Sequence, residues 1–451
     1  MMTGLPITPL DDWTAEKIGV KNNWVTREQI ADYQLAKLKE TVERAQASSP
    51  FYRSHLAGYR ANSLNGFEEF SSYPFTTSAD ITRNAMRMLC VSQSNISRVV
   101  TLTTSGTTGQ PKRLYFTPDD QELTIDFFRC GMSTFAGPGD RTLILLPGER
   151  TGSVGDLLAE ALNRIGVKSV SYGLVEQAPN AVHSMCQEKA TCIVGVPAQV
   201  LAMARYWESW GKSNWTPRCV LLSTDHVPTA IVDELERIWK CEVFNHYGMT
   251  EMGLGGGLEC AAHDGCHLRE ADLYFEIIDP ASGQPLPEGE YGEVVFTTLT
   301  RRGMPLIRYR TGDISRFIAG TCSCGSKVRR LERIRSRLNG EIRFTQESGF
   351  TLADLDEILF ALPEVINFSV EIRTGATTVL KITAAVLPEV VFFDKRVILR
   401  ALRQVPAIQA AEEAGALLLE VEILREWFFS PGKRVVRIVE SAKEAGDGGN
   451  A

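Results

Sequence analysis

RTLILLP (141–147), VGDLLAEALNRIG (154–166), ATCIVGVP (190–197), RCVLLST (218–224) and TAIVDELERIWK (229–240) follow one another through the middle of the chain. The first, third and fourth are short apolar runs bounded by turn residues, which suit buried strands. The other two carry apolar residues at helical spacing with charges between them, which suits amphipathic helices. Strands alternating with helices are βαβ units, so the expected class is α/β with a largely parallel sheet.

Outward from this stretch the texture changes on both sides. Towards the N-terminus, REQIADYQLAKLKETVERAQAS (27–48) has the apolar period of a long helix, and SSPFYRSHL breaks it. From about 272, LYFEIIDPASGQPLPEGEYGEVVFTTL sets the turn signals DPASG and PEGEYG between alternating strands, as expected of a smaller β subdomain. After 336 come a helix (TLADLDEILFAL), two strands (INFSVEIRT and VLKITAAVL), a helix (KRVILRALRQV) and a strand (ALLLEVEIL), which predict a small α+β domain. The polar, Gly-rich tail SAKEAGDGGNA is expected to be disordered.

A chain of 451 residues exceeds the size at which a single core stops growing, so at least two domains are expected. With 44% hydrophobic and 23% charged residues the composition is that of a globular protein. A net charge of −7 argues against a protein built to grip nucleic acid. MMTGLPITPLDDW lacks a basic segment followed by an apolar one, and no apolar run is long enough to span a bilayer, so a cytoplasmic protein with no membrane partner is expected. Ten cysteines without a secretory signal suggest thiols or metal ligands more than a disulfide frame.

VVTLTTSGTTGQPKRLYFT (99–117) places strands on either side of a loop of glycines and small hydroxyl residues closed by Lys112. Glycine lets the backbone approach an anion, amides and hydroxyls donate to phosphate oxygens, and lysine supplies charge. The spacing is not that of a Walker A loop. TSGTTGQPK (104–112), FNHYGMTEMG (244–253), YRTGD (309–313) and PGKRVVR (431–437), in this order, resemble the adenylate-forming superfamily of acyl-CoA ligases. LAKLKETVERAQASSPFYRSHL, YPFTTSADI and MPLIRYRTGD are similar to its phenylacetate-CoA ligase branch in particular.

The resemblance implies a large N-terminal AMP-binding (adenylation) domain over 1–335, with a β subdomain from about 257, and a small mobile C-terminal domain over 336–440. It implies ATP, Mg2+ and coenzyme A as cofactors and a small-molecule carboxylic acid as substrate, with a homodimer left open. Carried onto this chain, Thr104, Ser105, Gly106, Thr107, Thr108, Gly109 and Lys112 would cradle the β and γ phosphates. Tyr247 and Gly248 would lie at the adenine, Thr250 would touch the α-phosphate, and Glu251 would hold magnesium. Asp313 would accept from the ribose hydroxyls beside Arg310, and Lys433 would stabilise charge on the α-phosphate during adenylation. Ser223, Thr224 and Asp225 stand where the family carries a small loop against adenine, more often with Gly and Glu. The chemistry agrees, because a carboxylate attacking an anionic phosphorus needs a metal and a cation there.

GLECAAHDGCHLREAD (257–272) and GTCSCGSK (320–327) supply Cys260, His263, Cys322 and Cys324, two ligand pairs that a folded β subdomain could bring together around zinc. Cys266 and His267 are the substitutes. Some members of the resembled branch carry a structural zinc at matching positions. The other six cysteines stand singly in apolar contexts and read as core. One departure from the family falls at SRLNGEIRF, where Asn339 stands near an expected hinge aspartate. That keeps open an adenylating ligase or adenylyltransferase with an acceptor other than coenzyme A, and a degenerate nucleotide-binding partner protein.

Overall fold

The computed structural model describes residues 5–20, 25–102, 111–338, 340–344, 349–375, 377–427, 429 and 434–440. Five parallel strands form its centre, in the spatial order Lys168–Ser171, Arg141–Ile144, Cys192–Gly195, Cys219–Leu222 and Glu242–Tyr247. Every residue of Cys192–Gly195 and Cys219–Leu222 is buried, which is why those runs are apolar without alternation. Helices Val154–Arg164 and Thr229–Trp239 fall where the amphipathic spacing puts them.

Beyond Tyr247 the pairing changes direction. Gly257–Glu259, Cys266–Leu268 and Arg330–Leu331 add antiparallel to the edge of the same sheet, which then has eight strands. The β-rich region from 257 therefore begins as an extension of the large sheet. A separate four-stranded antiparallel sheet follows, made of Leu273–Ile278, Gly292–Thr298, Tyr309–Ser315 and Ser336–Arg337. Arg98–Leu102 and Lys112–Phe116 pair as a hairpin. Helix Arg27–Ser48 opens with a capping box from Thr26 and Gln29 and buries Ile30, Leu38, Val42 and Ala45.

The C-terminal part forms a four-stranded sheet in the order Leu417–Leu424, Thr378–Val386, Val365–Thr374 and Val436–Glu440, with helices Leu352–Phe360, Arg396–Leu402 and Pro406–Glu413. The last helix starts with proline at its first turn, where a missing amide does no harm, and the sequence reading, which passes from KRVILRALRQV to the strand, contains no such helix. One continuous apolar core joins this unit to the parallel sheet and its helices. Polar contacts fix the joint. Arg205, almost fully buried, donates to the carbonyls of Phe360 (2.7 Å) and Val365. The Glu357 carboxylate accepts from the amides of Thr229 (2.8 Å) and Ala230 (3.0 Å), which open helix Thr229–Trp239 and have no partner within it. Among the described residues no helix is long and apolar enough to cross a membrane.

Glu357→Ala is expected to lower unfolding stability by about 1 kcal/mol, the worth of a lost N-terminal cap and its favourable dipole contact. Equilibrium denaturation checks it, and a midpoint unchanged from wild type would refute the capping role.

Candidate active site

Strand Glu242–Tyr247 ends at the point where the sheet switches from parallel to antiparallel, and residues 248–256 make the reversal. Gly248 has no room for a side chain, since a Cβ there would run into the carbonyl oxygen of Leu254. A single 3-10 turn, Thr250–Met252, is closed by Gly253 at φ +75° and directs Glu251 into the interior. There Glu251 forms an ion pair with Lys112, the first residue of the hairpin strand Lys112–Phe116. The Tyr309 hydroxyl donates to the same carboxylate at 3.1 Å, and Lys112 Nζ also reaches Ser78 Oγ at 3.3 Å. Burial alone would raise the Glu251 carboxyl, but the Lys112 charge and these hydrogen bonds outweigh it and hold the group below the usual range.

A second group lies across the reversal. Tyr247 donates its hydroxyl to Asp313 at 3.1 Å, and Asp313 pairs with Arg337 at 3.1 Å from the neighbouring strand. Burial and the Asp313 carboxylate push the Tyr247 phenol well up, so it stays a donor. Ser223 and Thr224 follow the end of strand Cys219–Leu222. Thr224 holds φ +76°, a conformation that a β-branched residue adopts only under strain and that glycine takes freely. Two adjoining cavities, about 950 and 940 Å3, open here and share Thr224, His246, Gly248 and Arg337 in their walls. Lys112, Ser223, Thr250 and Glu251 line the first, and Tyr247 and Asp313 the second. Thr104, Ser105, Gly106, Thr107, Thr108, Gly109, Asn339 and Lys433 lie outside the described residues, as does the tail expected to be disordered.

Two side chains expected at the nucleotide border these cavities, Arg310 the first and Asp225 the second, and each is held there by polar contacts. The Arg310 guanidinium is bound to Glu293 (Nε to Oε2, 2.7 Å) and to the Pro280 carbonyl (3.0 Å). Asp225 receives Arg434 Nε at 3.2 Å, and the same guanidinium is held by Asp356 at 2.6 and 2.8 Å. Asp225 is thus a contact between the two parts of the chain, made through the residue that follows Lys433. His246 and Arg434 were missed as site residues, because each stands beside a motif position and has no spacing signal of its own.

The metal-ligand set needs one correction. Cys260, His267, Cys322 and Cys324 are all buried and present their ligand atoms within 4.8 Å of one another. His263 is not among them. At φ +49° it turns its ring to Glu242 (3.1 Å) and Glu259 (3.6 Å). Successive residues of strand Cys266–Leu268 face opposite ways, so His267 points away from Cys266 and reaches Cys324 Sγ at 3.5 Å. Cys260 and Cys322 sulfurs are 3.8 Å apart, close to the spacing of about 3.8 Å that tetrahedral zinc–sulfur bonds of about 2.3 Å require. The period-two alternation of CHL was a signal that could have separated His267 from Cys266, but nothing in the spacing separates it from His263. Cys130, Cys192, Cys219, Cys241 and Cys266 are buried, while Cys90 and Cys186 are half-buried.

Lys112→Met should destabilise the fold by about 3 kcal/mol, because it leaves the buried Glu251 charge without its partner, whereas adding Glu251→Gln should recover most of that loss. A double-mutant cycle by denaturation tests this. Additive losses would show that the two side chains do not depend on each other.

Comparison with known proteins agrees with this geometry. Residues 65–299 match the family model described as AMP-binding enzyme, just over half of the chain. A phenylacetate-coenzyme A ligase of Thermus thermophilus is 29% identical over 78% of this chain and 80% of its own length. One from Escherichia coli is 28% identical over 69% of this chain and 71% of its own. In fold, the chain is similar to a 2-hydroxyisobutyryl-CoA ligase crystallised in the postadenylation state with 2-HIB-AMP, with TM-score 0.78, 18% identity, and 93% and 91% of the two chains covered. The sheet, the reversal after Tyr247 and these relationships together make the chain a member of the AMP-binding enzyme family, similar within it to the phenylacetate-coenzyme A ligases.

Proposed function

We propose that this protein is an AMP-forming acid–CoA ligase: it joins a carboxylic acid to ATP, releases pyrophosphate, and passes the acyl group from the adenylate to coenzyme A. The observation that supports it most is the convergence of Lys112, Glu251 and Tyr309 on one side of a cavity with Tyr247, Asp313 and Arg337 on the other, where strand Glu242–Tyr247 ends. Such crevices beyond the carboxyl ends of parallel strands are where open α/β sheets bind ligands. The attacking carboxylate and the α-phosphate are both anions, so cationic groups fixed in advance lower the barrier.

In this reading Lys112 and residues 104–109 hold the β and γ phosphates, Thr250 the α-phosphate, and Asp313 the ribose hydroxyls, with Tyr247 and Gly248 beside the adenine. Lys433 would meet the charge that grows on the α-phosphate, and the Arg434 bridge to Asp225 and Asp356 would fix the backbone next to it. Glu251, an ionised buried carboxylate beside a tyrosine hydroxyl, suits a hard cation and is the residue that would hold Mg2+. When bound, that ion would neutralise phosphate charge. The curated relatives named phenylacetate-coenzyme A ligase favour an aryl or small acyl acid and coenzyme A as acceptor. The part of the chain from 336 to 440 would act as the small mobile domain, in a cytoplasmic setting where ATP and coenzyme A are at hand. Cys260, His267, Cys322 and Cys324 would hold a structural Zn2+, closed by four protein ligands and without a catalytic role.

The test is ATP–pyrophosphate exchange and thioester formation, measured on one preparation across a panel of aryl and small aliphatic acids. Acid-dependent exchange and a CoA thioester are expected, and Glu251→Gln should cut turnover about a hundredfold or more. Exchange with no acid dependence would sink the proposal, and adenylate formed without any thioester would favour a different acceptor. For the metal, purified protein should contain about one zinc per chain. His267→Ala or Cys322→Ser with Cys324→Ser should lower both zinc content and melting temperature, since metal-binding energy is folding energy here. His263→Ala should leave zinc in place. Equal zinc loss from His263→Ala and His267→Ala would contradict the assigned ligands.

A further inference from the structure

The first cavity has an apolar end with one unsatisfied polar atom in its wall. Phe127, Phe128, Met132, Leu254 and Leu258 line that end, together with His246, the penultimate residue of strand Glu242–Tyr247. His246 Nδ1 lies 2.9 Å from Ser223 Oγ, which fixes the ring. Its Nε2 is buried and has no hydrogen-bond partner among the described residues. The two phenylalanine rings beside it, with centroids 6.5 and 6.3 Å away, offer none. Gln199, another polar side chain of this wall, has its amide oxygen on the Val175 amide at 3.0 Å. A buried polar atom without a partner is unfavourable, and one that faces a cavity is placed to take a partner from a ligand or a water there.

Burial pushes the His246 imidazole down to about 4, so at neutral pH the ring is uncharged, with one donor and one acceptor nitrogen. If the Ser223 hydroxyl donates to Nδ1, then Nε2 carries the proton and donates into the cavity. If Nδ1 donates to Ser223, then Nε2 accepts. A hydroxyl satisfies Nε2 in either tautomer, because it both donates and accepts. A carbonyl or ether oxygen satisfies one tautomer only, and a hydrocarbon neither.

We infer that the acid this protein takes carries a hydroxyl group on an otherwise apolar body, and that His246, oriented by Ser223, is the residue that selects for it. The inference rests on the acid-activating function proposed above and names the substrate class for that same site. The apolar wall holds the body of the acid, while its carboxylate turns towards the part of the wall that Lys112 and Thr250 line.

The experiment is direct binding by calorimetry, in the full chain, of matched pairs: phenylacetate with its ring-hydroxylated forms, and benzoate with its hydroxybenzoates. Wild type should bind at least one hydroxylated acid about tenfold more tightly than its deoxy partner. In His246→Phe that preference should vanish, with little change in melting temperature, because removing the unsatisfied Nε2 offsets the lost hydrogen bond to Ser223. His246→Gln, which keeps a hydrogen-bonding end, should retain part of the preference, and Ser223→Ala should weaken it by freeing the ring. Equal affinity within every pair, no binding by any hydroxylated acid, or a preference that survives intact in His246→Phe would overturn the inference. Failure of the ligase function appears separately, as a hydroxylated acid that binds selectively but supports no pyrophosphate exchange.

Discussion

On one side of strand Glu242–Tyr247 the backbone bonds to a parallel neighbour, Cys219–Leu222, and on the other to an antiparallel one, Gly257–Glu259. A parallel neighbour arrives through a crossover helix, whereas an antiparallel one needs the chain to reverse at once. The nine residues 248–256 make that reversal directly above the sheet. Because Gly248 packs against the Leu254 carbonyl, the turn has one compact path, and Thr250 and Glu251 are delivered to the cavity by it. Every other group of the site is placed relative to this turn. Lys112 meets Glu251 from the hairpin, Tyr309 and Asp313 come from the antiparallel sheet, and Ser223 comes from the next strand.

Charge compensation follows from the same placement. Removing an ion from water is expensive unless a partner and hydrogen bonds replace the solvent, and several buried charges of this protein are compensated in pairs. Lys112 with Glu251, Arg308 with Glu276, Arg269 with Asp272 and Arg434 with Asp356 are all such pairs. The Arg434 pair differs in joining the C-terminal part to Asp225 on the large sheet. Together with Arg205 and Glu357 it adds buried polar contacts to a joint that is otherwise apolar.

Much of this was legible before any coordinates. The apolar runs at 141–147, 190–197 and 218–224 announced buried strands because a strand covered on both faces tolerates no polar residue. The GMTE turn and YRTGD were legible as motifs, and the structure brings Glu251 and Asp313 to adjoining cavities, whereas the loop before Lys112 lies outside the described residues. The choice between His263 and His267 was not, since both fit a plausible spacing and only the pairing of strand Cys266–Leu268 with Arg330–Leu331 decides which faces the cysteines. Asp225 was likewise readable as a loop residue near adenine, yet its partner, Arg434, lies 209 positions away.

By itself, then, the sequence determined what is encoded locally: the class of the fold, the order of its elements, and the kinds of chemistry its motifs support. Hydrophobic period and turn residues act over a few positions, so they are written where they act. Tertiary structure alone decided what depends on chain segments meeting from afar: the Lys112–Glu251 pair, the fourth cysteine-cluster ligand, the Arg434 bridge, and the lone nitrogen of His246 in an apolar wall. Those are set by sheet register and by the burial of apolar surface, and a partner brought in from a distant segment leaves no mark in the spacing around either one.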